Sequence, residues 1–128
     1  TTLERGELIA EVNVPAQGRR RAAYLKCTTR SADDWPALGV AVALDVDGSA
    51  VRDGLIVISA ATNTPVRLAA AESALRGAKV DDAVLRRVGE AAASAADVIA
   101  DEHGSVAYKR ELVRVYVARA VRAALTDQ

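Results

Sequence analysis

The residues whose types could do chemistry are concentrated between Tyr24 and Asp34. Four polar side chains recur there at every second position: Tyr24, Lys26, Thr28 and Arg30. A period of two is the period of a β-strand, so all four should lie on one face of it, and the strand runs into the acidic pair at positions 33 and 34. Such a face is either a solvated sheet surface or a dedicated contact for an anion or a cofactor, and the residues alone leave both interpretations open.

Other reactive residue types occur singly. His103 is the one histidine and Cys27 the one cysteine, which excludes a metal site built from several histidines and an internal disulfide. Cys27 falls on the apolar face of its strand, which favours an inert buried thiol over a reactive one. Trp35 is either a core anchor or a cover for a ligand. The basic run at positions 19–21 is either a solvated turn or a phosphate contact.

Composition excludes several classes of function. The 128 residues are enough for one domain, and the chain reads as a single domain over 1–128. Its 17 basic and 17 acidic side chains cancel, which argues against nucleic acid, because a polyanion binder needs a positive excess to displace counterions. No apolar run approaches the roughly 20 residues that cross a bilayer, and residues 1–5 do not resemble a signal peptide. These features predict a cytoplasmic protein that does not enter membranes.

The first half of the chain has the alternation of strands. Strands are predicted near residues 7–14, 22–30, 38–46 and 51–60. Asp47-Gly48 predicts a tight hairpin turn between the last two, and Gly54 a bulge in the return strand. In the third strand, small residues alternate with large apolar ones, so a neighbour could approach the small-residue face closely.

The second half has helical periodicity. Thr64-Pro65 predicts a helix start, Gly77 a helix end, Asp81 or Asp82 the cap of a second helix, and Ser105 the cap of a third. Strands followed by helices predict an α+β fold: an antiparallel sheet of about four strands followed by three helices packed on one face.

Several collinear motifs resemble one known family. They are Gly6-Glu7-Leu8-Ile9-Ala10-Glu11-Val12-Asn13-Val14-Pro15, the stretch from Tyr24 to Asp34, Gly39-Val40-Ala41-Val42-Ala43-Leu44, Thr64-Pro65-Val66-Arg67, and Gly104 through Val113. Together they resemble the C-terminal domain of the FAD-binding medium subunit of molybdenum hydroxylases, which include carbon monoxide dehydrogenase and xanthine dehydrogenase. The resemblance implies the same α+β fold of four antiparallel strands and three helices.

The resemblance also implies a cofactor and a site. The medium subunit of this family carries FAD, and its C-terminal domain closes over part of the flavin. Ile9 and Lys26 match residues that contact FAD, and a cation near the ring would favour negative charge on the reduced flavin. The loop that contains Arg30 and Asp33 matches the segment that governs access of the electron acceptor. No catalytic residue and no metal ligand is implied.

The resulting functional hypothesis is that this chain completes the FAD site and the subunit contacts of a flavoprotein subunit that passes electrons from iron–sulfur clusters to an external acceptor. The implied partners are N-terminal FAD-binding domains, absent from residues 1–128, a molybdopterin subunit and a two-iron iron–sulfur subunit, with homodimerisation through the bare sheet face as a further expectation. We expect the isolated domain to hold FAD weakly or not at all and not to be catalytic by itself. The alternative is a stand-alone, non-catalytic interaction module of the same fold without flavin.

Overall fold

The computed structural model describes residues 3–28, 31 and 34–126. The described residues form four strands and three helices in that order. The elements are β1 Arg21–Cys27, β2 Leu38–Asp47, β3 Ala50–Ser59, β4 Val66–Arg67, α1 Ala69–Leu75, α2 Asp82–Ala95 and α3 Val106–Thr126. The predicted α+β class is therefore confirmed.

The sheet has the order β1-β2-β3-β4, with every neighbouring pair antiparallel. The β2–β3 hairpin turns at Gly48, whose φ of 59° lies in the left-handed region, as the Asp47-Gly48 signal predicted. A bulge is present in β3, but it lies two residues before Gly54. Asp45 pairs with Asp53 while Val46 pairs with Val51, so Arg52 is the extra residue.

The helices cover one face of the sheet. The two helices α1 and α3 pack directly on it, α1 against β3 and α3 beneath β1 and β2, and α2 packs on the outside of both. The core between these layers is built from aliphatic side chains, including Val40, Leu44, Ile56 and Ile58, all fully buried. The predicted capping by Asp81 and Ser105 is confirmed, because their side chains accept hydrogen bonds from Val84 N (2.8 Å) and Tyr108 N (3.2 Å).

The predicted first strand at residues 7–14 is wrong. The segment from residue 7 to 17 belongs to no sheet or helix, and Leu8, Val12 and Val14 are 90%, 77% and 83% exposed. Alternating side chains satisfy only half of the requirement for a strand, because the backbone also needs a neighbouring edge with which to exchange hydrogen bonds. The described part of the chain gives this segment no such edge.

The predicted helix start at Thr64-Pro65 is also wrong. Val66 and Arg67 pair with Ile58 and Val57 to form β4, and the first helix begins only at Ala69. The backbone N–H of Leu68 also donates to Ile56 O over 2.9 Å. Pairing with the exposed edge of β3 therefore outweighed the local capping signal.

Candidate functional site

One face of the sheet is left uncovered by the helices. We call it the outer sheet face, and it carries Ala22, Tyr24 and Lys26 from β1, Gly39, Ala41 and Ala43 from β2, Leu55 and Val57 from β3, and Arg67 from β4. The alternation of β1 places Ala23, Leu25 and Cys27 on the opposite, core-facing side. The predicted face for Tyr24 and Lys26 is thus the uncovered one.

A shallow depression of about 360 Å³ runs across the middle of this face. Small side chains form its floor, because Ala41 and Ala43 stand at the centre of the sheet, and Tyr24 and Leu55 rise at its sides. We call this depression the trough; its lining also includes Ala22, Ala23, Val42 and Val57. The trough is lined without any charged residue, so it suits a flat apolar group better than an anion.

The side chain of Tyr24 closes one end of the trough. A Cβ placed on Gly39 would come within 2.8 Å of Tyr24 Oη and 2.6 Å of Ser59 Oγ, so the tyrosine lies directly over Gly39. Gly39 is the cross-strand partner of Lys26. Tyr24 therefore stands between the trough and Lys26, which is exposed on the same face but does not line the depression.

Charged residues lie at the opposite end of the trough. Arg20, Asp53 and Arg67 surround a smaller hollow that shares Ala43 and Leu55 with the trough. The Asp53 carboxylate lies 3.2 Å from Arg76 Nη2, and this hydrogen bond holds the pKa of Asp53 below its usual range. This end of the face can therefore contact a polar or anionic group beside an apolar ring.

The position of Arg67 is fixed from behind by Glu72. Arg67 Nε donates to Glu72 Oε1 over 2.8 Å and Arg67 Nη2 to Glu72 Oε2 over 2.8 Å, while Glu72 Oε1 also accepts from Ile56 N over 3.0 Å. The Glu72 side chain is only 3% exposed. Burial by itself would raise the pKa of Glu72, but the hydrogen bonds and the charge of Arg67 outweigh it and the pKa is lowered. Glu72 is accordingly a buried carboxylate that orients a guanidinium at the rim.

The predicted site residues have different positions. Lys26 lies on the outer sheet face. Ile9 is 67% exposed in the segment before β1 and is not among the residues that pack on the core. Arg30 and Asp33 lie outside the described residues. The structure thus assigns Lys26 to the candidate face and leaves Ile9 separate from the folded domain.

Cys27 and Trp35 lie in contrasting environments. Cys27 is buried at the core side of β1, as expected for an inert thiol. Trp35 is 83% exposed, so its interpretation as a core anchor is wrong.

No group of three or more histidine, cysteine, aspartate or glutamate side chains suited to a metal ion occurs among the described residues. Nor does any helix in the described ranges have the length and apolarity needed to cross a bilayer.

Comparison with known proteins identifies the fold. Residues 23–124 match the family described as the CO dehydrogenase flavoprotein C-terminal domain. The chain belongs to this family. The resemblance inferred from the sequence motifs is thereby confirmed.

Individual relatives within this family are longer proteins. The glyceraldehyde dehydrogenase medium chain of Sulfolobus acidocaldarius is 26% identical over 95% of this chain and 43% of its own length. The carbon monoxide dehydrogenase medium chain of Hydrogenophaga pseudoflava is 27% identical over 97% of this chain and 43% of its own. A solved structure of carbon monoxide dehydrogenase from the same organism, lacking the Mo-pyranopterin moiety of the molybdenum cofactor, superposes with a TM-score of 0.77 at 29% identity, covering 83% of this chain and 37% of that one. The chain therefore spans about two fifths of the relatives it matches.

Sequence reasoning missed Arg67 as a residue of the site. Its position depends on pairing between Val57 and Arg67 across β3 and β4, which the apparent helix start at Thr64-Pro65 concealed. The usable signal was the apolar Val66 directly before Arg67, which is compatible with a short edge strand. Nothing in the local sequence indicated that Glu72 would be buried behind it.

Proposed function

We propose that this chain completes the FAD site and the subunit contacts of a molybdenum-hydroxylase flavoprotein subunit that passes electrons from iron–sulfur clusters to an external acceptor. The observation that carries the proposal is the trough on the outer sheet face of a domain that belongs to the CO dehydrogenase flavoprotein family. The medium-chain names of the relatives support a subunit role within a larger assembly.

The residues of the trough fit one side of a flavin ring. A floor of alanines admits close approach of a planar group, and Tyr24 and Leu55 supply apolar edges that it can contact. Pockets that enclose a complete ligand have volumes of roughly 300–1,000 Å³, and the trough, at about 360 Å³, is open as well as small. The chain would therefore supply one wall for the isoalloxazine, while the dinucleotide is held by other domains. When bound, FAD accepts electrons and passes them on.

The charged residues at the two ends of the trough have complementary roles in this proposal. Lys26, beyond Tyr24, places an ammonium on the same face and would favour negative charge near the ring. Arg67, held by Glu72, would contact polar atoms at the opposite end. Ile9 would reach the flavin from the segment before β1, and the loop containing Arg30 and Asp33 would control access of a charged acceptor.

Three kinds of partner follow from this role. We propose that FAD-binding domains lie against the outer sheet face, and that a molybdopterin subunit and a two-iron iron–sulfur subunit bind the assembled flavoprotein. Two relatives are named as dehydrogenase medium chains and one solved relative is an enzyme with a molybdenum cofactor, which supports a place for this chain in a larger molybdenum-containing assembly. A homodimer through the outer sheet face would compete with the flavin for the same surface.

The proposal is tested by filling the trough in the complete flavoprotein subunit. Ala41 is exposed at the trough floor, so Ala41→Leu should leave the fold intact and lower the bound flavin per polypeptide by tenfold or more, measured from flavin absorbance after gel filtration. Ala107→Leu, at an exposed position on α3, is the matched control and should retain full flavin content. Lys26→Ala should weaken flavin retention or slow flavin reduction. Equal flavin content and equal reduction rates in all these variants would refute the proposal and favour a domain that serves only as an interaction module and does not contact the flavin.

A further inference from the structure

A groove of about 370 Å³ lies between α2 and α3, on the helical side of the domain. We call it the helix groove. Its lining combines apolar side chains, which include Leu85 and Val115, with four arginines: Arg86, Arg114, Arg119 and Arg122. The outer sheet face lies on the opposite side of the sheet from the helices. A partner in the helix groove and a flavin in the trough can therefore be bound at the same time.

The helix groove runs along α3 from a close helix contact to an ion pair. At one end, a Cβ on Gly89 would lie 2.3 Å from the backbone oxygen of Arg114, so the two helices almost touch there. At the other end, Arg122 and Asp82 form an ion pair between α3 and α2. The distance from Arg114 to Arg122 along the helix is about 12 Å at 1.5 Å per residue. Two turns of a partner helix have a similar length, so the groove accommodates a short segment.

Two of the four arginines have no carboxylate partner. Arg86 on α2 and Arg119 on α3 are exposed and form no ion pair within the described residues. Arg119 lies over the ring of Tyr116, 5.3 Å from its centroid, and this attraction leaves the guanidinium N–H groups able to donate. In the described part of the chain, the groove is lined by one carboxylate, that of Asp82, which already pairs with Arg122. Positive charge is thus concentrated here, although the charges of the whole chain cancel.

The chemistry of this lining favours an acidic polypeptide over other ligands. A guanidinium binds a carboxylate through two parallel N–H···O bonds, which makes arginine the cation best suited to an acidic side chain. Val115 is half-buried and is not among the residues that pack on the core, so it offers apolar surface to a partner. Nucleic acid fits less well, because a polyanion needs a long basic track and this groove extends only about 12 Å along α3.

We propose that the helix groove binds an acidic amphipathic segment of another subunit of the assembly. Two carboxylates of that segment pair with Arg86 and Arg119, and an apolar side chain between them contacts Val115. This inference rests on the proposed function for the existence of the assembly, and it adds the surface and the chemistry of one contact. Reversing the charge of both arginines would place like charges face to face, which opposes binding.

Modification of arginines by phenylglyoxal, followed by mass spectrometry, tests whether the groove is covered. Arg86 and Arg119 should react at least tenfold more slowly in the assembled complex than in the complete flavoprotein subunit by itself. Arg87 and Arg110 are exposed on the same two helices but do not line the groove, so they are matched controls whose rates should change less than twofold. Unchanged rates for Arg86 and Arg119 on assembly would overturn the proposal.

A matched pair of double variants tests the role of charge. Arg86→Glu combined with Arg119→Glu should raise the dissociation constant of the complex by tenfold or more, measured by mass photometry during dilution. Arg87→Glu combined with Arg110→Glu changes the net charge equally outside the groove and should change that constant less than threefold. All four positions are exposed, so circular dichroism should show an unchanged fold. Raising sodium chloride from about 50 to about 500 mM should weaken the wild-type complex more than the first double variant. Equal dissociation constants for the two double variants would overturn the proposal.

Other occupants of the groove, and failure of the proposed function, give different results. Protection of Arg86 and Arg119 by single-stranded DNA, by anionic lipid vesicles or by a second copy of the subunit, but not by the partner subunits, would overturn the proposal. Ala41→Leu should remove flavin while both arginines stay protected in the complex. Protected arginines in a complex that never binds flavin would support the groove and refute the proposed function, whereas freely reacting arginines in a flavin-loaded complex would refute the groove alone.

Discussion

Lys109 is the one fully buried basic side chain among the described residues, and its ion pair sets up an asymmetric mutational prediction. Its Nζ donates to Asp101 Oδ2 over 2.5 Å and to Ala60 O over 3.2 Å, which ties α3 to the end of β3 and to the connection after α2. The Lys109 side chain is 0% exposed, whereas that of Asp101 is 26% exposed. Loss of the Asp101 carboxylate should therefore destabilise the fold more than loss of the Lys109 ammonium.

Asp101→Asn leaves an ammonium buried with one carbonyl and a neutral amide, and breaking a buried pair in this way costs about 3–5 kcal/mol. Lys109→Met leaves a carboxylate that water can reach and a methionine that fills the space of the lysine stem. The remaining penalty, chiefly the unpaired carbonyl of Ala60, should be about 1–2 kcal/mol.

Urea unfolding of this chain, followed by circular dichroism at neutral pH, measures both values. The double variant should be about as stable as Lys109→Met alone, because Asp101→Asn is harmful only while the ammonium is present. An Asp101→Asn variant that unfolds at the same urea concentration as the wild type, or later than Lys109→Met, would refute the reasoning.

Two further predictions concern packing and the rim of the trough. Gly89→Ala should destabilise the domain by about 1–3 kcal/mol in urea unfolding, because its Cβ would lie 2.3 Å from the backbone oxygen of Arg114 where α2 and α3 meet. Arg67→Gln should lower the urea concentration at which the domain unfolds at neutral pH, because it leaves Glu72 buried with fewer donors. The pKa of Glu72 is lowered in the folded protein. The ionised carboxylate therefore stabilises the fold at pH values above the ordinary carboxyl pKa, and this stabilisation is lost as the pH falls through the folded-state pKa. The difference in stability between Arg67→Gln and the wild type should therefore shrink below about pH 4.

A surface arginine provides the control for the rim prediction. Arg52 pairs with Asp45 at the bulge, where the arginine side chain is 68% exposed. Arg52→Gln should unfold at nearly the same urea concentration as the wild type and show no comparable dependence on acid pH. If Arg67→Gln and Arg52→Gln lowered stability equally, the burial of Glu72 would add nothing to the strength of its ion pair with Arg67.

Much of the fold could be predicted from short-range patterns. Asp47-Gly48 predicts the hairpin because glycine accepts a positive φ, and Asp81 and Ser105 predict helix starts because their side chains satisfy free N–H groups. The alternation in β1 predicts the face on which Tyr24 and Lys26 lie. Each of these signals acts within a few residues, so no distant partner is needed to realise it.

Two segments whose structure depends on a neighbouring strand edge could not be predicted in the same way. The alternation at residues 7–14 predicts a strand, but a strand also needs an edge, and the described part of the chain offers none. The signal at Thr64-Pro65 predicts a helix, but the edge of β3 captured Val66 and Arg67. In both cases the deciding interaction lies far away in sequence or outside the described residues.

By itself, the sequence determined the class of fold, the starts of the second and third helices, the uncovered face of β1 and the family. Tertiary structure alone decided that Ala41 and Ala43 form a trough, that Tyr24 separates it from Lys26, and that Glu72 holds Arg67 at its rim. The physical reason is that turns, caps and alternation follow from local backbone geometry, whereas the floor and rim of the trough are formed by residues that strand pairing brings together from β1, β2, β3 and β4.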